Sequence, residues 1–549
     1  MAPVPFEHPV RYTSLAVTGA HLTSVVYLTY VVGVSLYTSY RSLGPAQDTR
    51  SRLSQRSKLV PVFVALAVAA FFCATYTSVS AASLSYRVWA HRHGLELPTR
   101  LIGEGGFFPS KSRSSQLYLA QWLSDTPTYY DALEIVAEKA RRFWWGQQVD
   151  LATTVFSLLL ATEGRRRHIP MVTGFLALAH LVNLSFAQNL FYLALLLTPA
   201  PLPADEELEL PVAPLPTSTW RRIRDKVLPP KPANWHPHQL IFYSALALNY
   251  GSLFILPYAA ETPSFPTTVL IVRGSTFLPL ILPKIAPASW GAVSANPHDT
   301  YSSLTKMFRS VSGVSLLLHF KATFVGLIYN APNSHYHRHS VLFPWDVEER
   351  STWERSTTAF GRILRSRSDH PVVAAVAWDV IISALSLGLW AAVRAMDVHD
   401  IIKSAIPFSG FCARSLLPRN IKEETPKPAV KAEPESAEEV ESDQPMTLRR
   451  SGRQRKSRLG SIASSSGASE DTAAPVPRKR GRPRKYKPAV GEDSTYKPTP
   501  AEAREAVEGD ELPPDNLDWE SAALAWGLTA VGGLASASAG VYGGECISR

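Results

Sequence analysis

The chain has 549 residues, is 46% hydrophobic and carries a formal charge of +10, with three cysteines. Cys73, Cys412 and Cys546 are too few and too scattered for a disulfide framework or a cysteine metal site. The positive charge is spread over links and tail, so it does not by itself imply nucleic acid, and the apolar runs before residue 395 exclude an ordinary soluble domain.

Taken in order, the first predicted span covers residues 14–37 and carries His21 and several tyrosines. It is too long for a cleavable leader and reads as an uncleaved membrane signal. A basic link follows, with Arg41, Arg50, Arg52, Arg56 and Lys58 against Asp48. The second span is 59–85. Residues 86–142 read as soluble, with a glycine turn at 103–106, a basic patch at 111–115 and an interfacial helix over 129–139. Thr128 is its expected N-cap.

The third span, 143–162, opens on Arg141, Arg142, Trp144 and Trp145, the headgroup and aromatic-belt residues of a membrane helix. Asp150 lies about two turns inside. A carboxyl there costs roughly 2.5–3.5 kcal/mol if it meets the helix centre. It is kept when a partner satisfies it, by capping a neighbouring helix or pairing with arginine, or when it does chemistry. After the tight basic link 164–167 comes a fourth span, 169–197, with His180, Asn183, Ala187 and Gln188 in one sector. An acidic patch at 205–209 and a basic one at 221–226 separate it from the fifth span, 239–258. The sixth, 267–285, carries Arg273 and is broken by Pro279 and Pro283. The seventh is 310–329 with His319, and the eighth 372–393 with Trp378, Asp379, Ser383 and Ser386. By their lysines and arginines, the links 41–58, 164–167 and 330–370 are all expected on the cytoplasmic side. This puts the tail on the other side, unless 401–417 dips in or crosses.

The expected fold is therefore all-α: a polytopic transmembrane bundle of about eight spans over residues 1–395. A disordered, charged segment follows over 396–518. The last segment, 519–549, is weakly hydrophobic, built from glycine, alanine and serine, and is either a ninth span or a poorly hydrophobic end.

Three constellations could carry chemistry. Asp150, His180, Asn183, Arg273, His319 and Asp379 come from five spans. A carboxyl removed from water disfavours its charged form and can donate a proton. Trp144, Trp145 and Trp378 supply ring faces that attract cations. Acid plus aromatic walls, closed to water, is what protonation-initiated cyclisation of an isoprenoid requires; the alternative is that these groups are helix–helix glue. His335, His337 and His339 would line one face of an extended segment, but no second histidine box matches them, and no metal or other cofactor is expected. Arg478-Lys-Arg-Gly-Arg-Pro-Arg-Lys485 has the Gly-Arg-Pro core of an AT-hook. Beside a membrane bundle it reads as a solvated or lipid-facing charge cluster rather than a nucleic-acid partner.

At Gly44-Pro-Ala-Gln-Asp-Thr-Arg50, Ala137-Glu-Lys-Ala-Arg-Arg-Phe-Trp-Trp-Gly-Gln-Gln-Val-Asp150 and Asn183-Leu-Ser-Phe-Ala-Gln-Asn189, the chain resembles the fungal transmembrane terpene cyclases of ascofuranone-type meroterpenoid pathways. The resemblance covers about residues 1–400. It implies metal-independent cyclisation of an epoxidised prenyl chain in secondary metabolism, on a lipophilic substrate reached from membrane lipid, with the endoplasmic reticulum as the expected place. On that reading Asp150 or Asp379 is the acid and His180 or His319 collects the released proton. Trp144, Trp145, Asn183, Arg273 and Trp378 surround the substrate. A non-enzymatic transporter or scaffold is the alternative.

Overall fold

The computed structural model describes residues 10–42, 50–95, 117–198, 235–293, 301–337, 347–394, 396–407 and 517–547. The AT-hook-like stretch, most of the 396–518 segment, His339, the turn at 103–106 and the patches at 111–115, 205–209 and 221–226 lie outside them. The described chain is an all-α membrane bundle. Its longer elements are α1 (Tyr12–Ser42), α2 (Arg50–Arg92), α5 (Ala140–Leu159), α8 (Gln239–Ala259), α11 (Tyr301–Asn330), α13 (Pro371–Arg394) and α15 (Trp519–Ile547). Between them lie α3 (Leu119–Asp125), α4 (Thr128–Ala137), α6 (Val172–Leu181), α7 (Leu184–Leu197), α9 (Phe265–Ser275), α10 (Leu278–Ile285), α12 (Thr352–Arg365) and α14 (Val398–Ala405). Two short antiparallel pairs complete it, β1 (Trp235–Pro237) with β2 (Gly291–Val293) and β3 (His335–His337) with β4 (Val347–Glu349).

Among the described residues, α1, α2, α8, α11, α13 and α15 are long and apolar enough to cross a membrane, and α9 with α10 forms a seventh candidate bent by 60°. The bend falls at the Gly274–Phe277 turn, just ahead of Pro279. The expected third span is α5, which is too polar to pass on composition. It survives because its neighbours shield it: from Phe143 to Gln148 and from Leu151 to Leu159 every residue is buried.

The expected fourth span is not one helix. It breaks at Val182–Asn183 into α6 and α7, and the two double back. Arg167, in the turn after α5, donates to the carbonyls of Leu195 and Thr198 at the far end of α7. Val172, at the start of α6, lies against Gly164 in that same turn. The segment thus enters and leaves at one end of the bundle. Ten residues of α6 rise only about 15 Å, half a hydrocarbon layer.

The last segment behaves the same way. The Asp518 amide donates to Ala392 and the Trp526 indole to Ala384, so the first limb of α15 runs antiparallel to α13. Gly533 then leaves helical geometry (φ 78°, ψ 167°). The second limb runs back along α11, with Gly532 against Leu316, Gly533 against His319 and Gly543 against Phe308. Glu545 reaches Arg394, two residues from Ala392. A straight helix from Asp518 to Glu545 would end roughly 40 Å from its start. Residues 519–547 therefore form a re-entrant hairpin packed into the bundle. The pair Gly532-Gly533 permits it: a Cβ at position 533 would meet the His319 ring at 2.8 Å, and the positive φ disfavours any L side chain.

These contacts order the ends of the bundle. One end holds Arg141 with Asp369, and Trp145 Nε1 on the Ile363 carbonyl. The other holds Arg167 and Arg394 with Glu545. Helix α5 runs from the first to the second, and α13 does too. The links 164–167 and 330–370 therefore lie at opposite ends, against the expectation that both are cytoplasmic. The charge count misled because the fourth predicted span does not cross, which changes the parity of the spans between those links. Traced in this way, α1, α2, α5, α8, the α9–α10 pair, α11 and α13 cross, and two hairpins dip in from the Arg394 end.

Candidate functional site

The tip of the α6–α7 hairpin organises the intramembrane polar groups. A helix broken inside a bilayer exposes carbonyls at one end and amides at the other, and both must be satisfied by protein. At the end of α6, Arg273 Nη1 donates to the His180 carbonyl at 2.9 Å and to the Tyr129 hydroxyl at 2.9 Å. At the start of α7, the amides of Leu184 and Ser185 donate to the two carboxylate oxygens of Asp379 at 3.0 and 2.7 Å. Asn183 Oδ1 accepts from the Phe186 amide, and its Nδ2 donates to the Ala70 carbonyl of α2. A cation thus faces a helix C-terminus and an anion a helix N-terminus, each the favourable sign.

Asp379 is therefore a cap. Both its oxygens are engaged by backbone, so it is not the free acid expected of it. Asp150 differs. Its side chain makes no hydrogen bond or ion pair among the described residues, although Arg273 and Asp379 are its charged neighbours. It retains accessible surface, as do His180, Asn183 and Arg273 around it. One turn further along α5, Thr154 donates to Asn249 Oδ1 at 2.6 Å, and Asn249 Nδ2 donates to Ser275 Oγ at 2.8 Å and to the Val272 carbonyl. His180 Nε2 bonds Thr276 Oγ1 at 2.7 Å, and its ring lies 5.6 Å from that of Phe277. Asp150, His180, Asn183, Arg273 and Asp379 are thus brought around one tip.

His319 and the tryptophans are not. His319 lies beside Trp144, ring centroids 5.7 Å apart, under the tip of the second hairpin. Trp144 and Trp145 line a separate groove of about 620 Å³ with Gln148, Phe360 and Trp526. Gln148 and Asp150, two residues apart, project about 200° from each other, so the groove and the acid occupy different faces of α5. Trp378 is 45% exposed on the outside of the bundle and lines neither.

A third cluster was not foreseen. Glu163 and Glu545, both buried, are joined by Arg166, Arg167 and Arg394, at 2.7–3.1 Å. Beside them the Tyr192 and Tyr542 hydroxyls meet at 3.1 Å, and Tyr192 stacks on Trp390 at 4.5 Å. The run Glu163-Gly-Arg-Arg-Arg167 reads as a solvated link until the partner carboxylate, 378 residues away, is seen. No group of three or more histidine, cysteine, aspartate or glutamate side chains able to hold a metal occurs among the described residues. Backbone at His335 and His337 pairs with β4.

No protein-family model matches the chain, and no match is found among curated proteins or among solved structures.

Proposed function

We propose that the protein is a membrane-bound terpene cyclase, sited in the endoplasmic reticulum, that opens an epoxidised prenyl intermediate with Asp150 as the proton donor. The observation that carries this reading is the contrast between the two intramembrane acids. Asp379 is consumed by capping α7, whereas the Asp150 side chain has no hydrogen-bond or ion-pair partner among the described residues and keeps part of its surface accessible at the same tip. Protonation of the epoxide oxygen by Asp150 breaks one C–O bond. The resulting cation is captured by an internal hydroxyl or alkene, and a proton leaves the adduct. In this reading His180, the histidine at this tip, receives it; His319 lies away from the tip beside Trp144. Arg273 and Asn183 stand at the same tip and are likewise partly exposed. Trp144, Trp145 and Trp378 lie elsewhere and take no part in this step.

The test is turnover of the epoxide by microsomes carrying single variants. Asp150→Asn should lose about 10²–10⁴-fold in rate, the usual share of a general acid, while His319→Ala keeps wild-type turnover. Full activity in Asp150→Asn ends the proposal. The doubled-back hairpins favour a second reading, since discontinuous helices line the midplane sites of transporters. Here the broken ends are filled by the protein's own Arg273 and Asp379, which leaves no vacant dipole for a charged cargo. Substrate flux into sealed vesicles at a rate unaffected by Asp150→Asn supports transport instead.

A further inference from the structure

The groove beside the second hairpin has a composition that specifies a ligand. It runs from α12, at the Arg141 end, inward along α5 and α13 to the first limb of α15. Its rings are those of Trp144, Trp145, Phe360 and Trp526. All three indole N–H groups are already spent inside the protein, on Thr323 Oγ1, the Ile363 carbonyl and the Ala384 carbonyl. The tryptophans therefore offer the groove only carbon faces. Thr529, at its inner end, donates its hydroxyl to the Ala525 carbonyl of its own helix. Gln148 is the exception. It is 4% exposed, its Oε1 accepts from the Leu534 amide and its NH₂ donates one bond to the Trp144 carbonyl, both at 3.4 Å. An amide nitrogen carries two hydrogens, so on this buried lining residue one donor has no partner among the described residues, at a cost of about 1–3 kcal/mol unless a ligand accepts it.

Among the described residues no charged side chain lines the groove. A phosphate or ammonium headgroup placed there would be desolvated without compensation. The lip is apolar and open, with Phe360 41% and Leu385 42% exposed on the outside of the bundle. We infer that this groove is a binding site for an uncharged lipid with a single oxygen head, an alcohol or carbonyl, which accepts from Gln148 while its hydrocarbon chain lies along the tryptophan faces. The site does not depend on the chemistry assigned to Asp150, because it lies on another face of α5.

The full chain in lipid nanodiscs can be photolabelled with a diazirine-bearing farnesol and, in parallel, with a diazirine-bearing phosphatidylcholine. The farnesol probe should label peptides 144–148 and 526–530 saturably and be displaced by excess farnesol, while the phosphatidylcholine probe labels them weakly and without saturation. Ala530→Trp fills the inner end and should lower farnesol labelling about tenfold, the equivalent of losing roughly two buried CH₂ groups. Thr529→Phe serves as the second filling variant should the first not fold. Gln148→Leu should weaken farnesol more than the matching hydrocarbon, farnesene. Asp150→Asn should leave labelling unchanged, which separates this site from the catalytic proposal. Equal, non-saturating labelling by both probes reduces the groove to ordinary contact with bilayer lipid and overturns the inference. So does unchanged labelling in a folded filling variant.

Discussion

Two aspartates that look alike in a list of intramembrane charges stand in different surroundings. Asp379 sits on an apolar helix and accepts from two backbone amides 194 and 195 residues away. Replacing it by asparagine leaves one amide facing an NH₂ group, and an unmet buried donor costs about 1–3 kcal/mol. Asp379→Asn should therefore lower the melting temperature of the detergent-solubilised protein, with turnover per folded molecule kept. Asp150→Asn should do the reverse. If thermal unfolding tracks activity equally in both variants, the division of roles is wrong. The residues were legible in the sequence, since both acids stand out in apolar runs. Which of them is free was not, because the capped amides belong to a break that no proline or glycine marks. Asn183 was its only local sign, readable as a polar stripe or, correctly, as an N-cap.

His370 offers a pH test at the same scale. Its Nδ1 accepts from the Val372 amide at the start of α13, and burial, followed by the nearby Arg142 guanidinium, holds its pKa below the ordinary histidine value. A histidine with a depressed folded pKa binds its proton more readily when unfolded, so stability rises with pH through the window. The contribution is complete above about 6.5 and is lost as pH falls from there toward the folded value. Thermal unfolding from pH 7.5 to 5 should show a falling melting temperature, with a shallower slope in His370→Asn, whose amide oxygen can still cap. Parallel slopes rule out this group.

Among the elements, the hairpin α15 carries the clearest consequences. Gly533 combines a positive φ with a neighbouring imidazole, so Gly533→Ala must both strain the backbone, at about 1–3 kcal/mol for this extended positive-φ conformation, and displace His319. The hairpin is anchored by Glu545, which is fully buried between Arg167 and Arg394. Removing one partner of a buried ion pair costs about 3–5 kcal/mol, because an uncompensated charge stays behind. Glu545→Gln should lower the melting temperature by more than Gly533→Ala. A smaller effect of Glu545→Gln means that water enters around these arginines and the network is not dry. Composition marks 519–549 as either a ninth span or a poorly hydrophobic end. The reversal was hidden because Gly532-Gly533 sits among many other small residues, with nothing local to distinguish a bend from close helix packing.

At the level of the whole molecule, the membrane-bundle class followed directly from long apolar runs, and most span positions followed with it. Topology did not. A segment of 29 residues looks like a crossing by length, and 169–197 satisfies that test while containing two helices that turn around. The arrangement predicts that the 164–168 turn and the 366–369 turn face opposite sides of a sealed microsome. In a Cys412→Ser background, His168→Cys and Arg367→Cys place thiols at exposed positions in each. A membrane-impermeant maleimide should modify one in intact vesicles and the other only after permeabilisation. Simultaneous labelling of both in intact vesicles contradicts the traced path.

The ion cluster at the Arg394 end also imposes an order on biogenesis. Arg167 and Arg394 are made and inserted well before the ribosome reaches Glu545, which follows α14 by the whole stretch between residues 405 and 519. During that interval Arg394 lacks the carboxylate it pairs with in the finished bundle, and Arg167 has Glu163 alone. The wall of the groove that Trp526 supplies is missing as well. Membrane quality control would meet this intermediate as a normal stage of synthesis, so a chain truncated after α14 should be recognised as unfinished and degraded rather than accumulate as a smaller, stable protein.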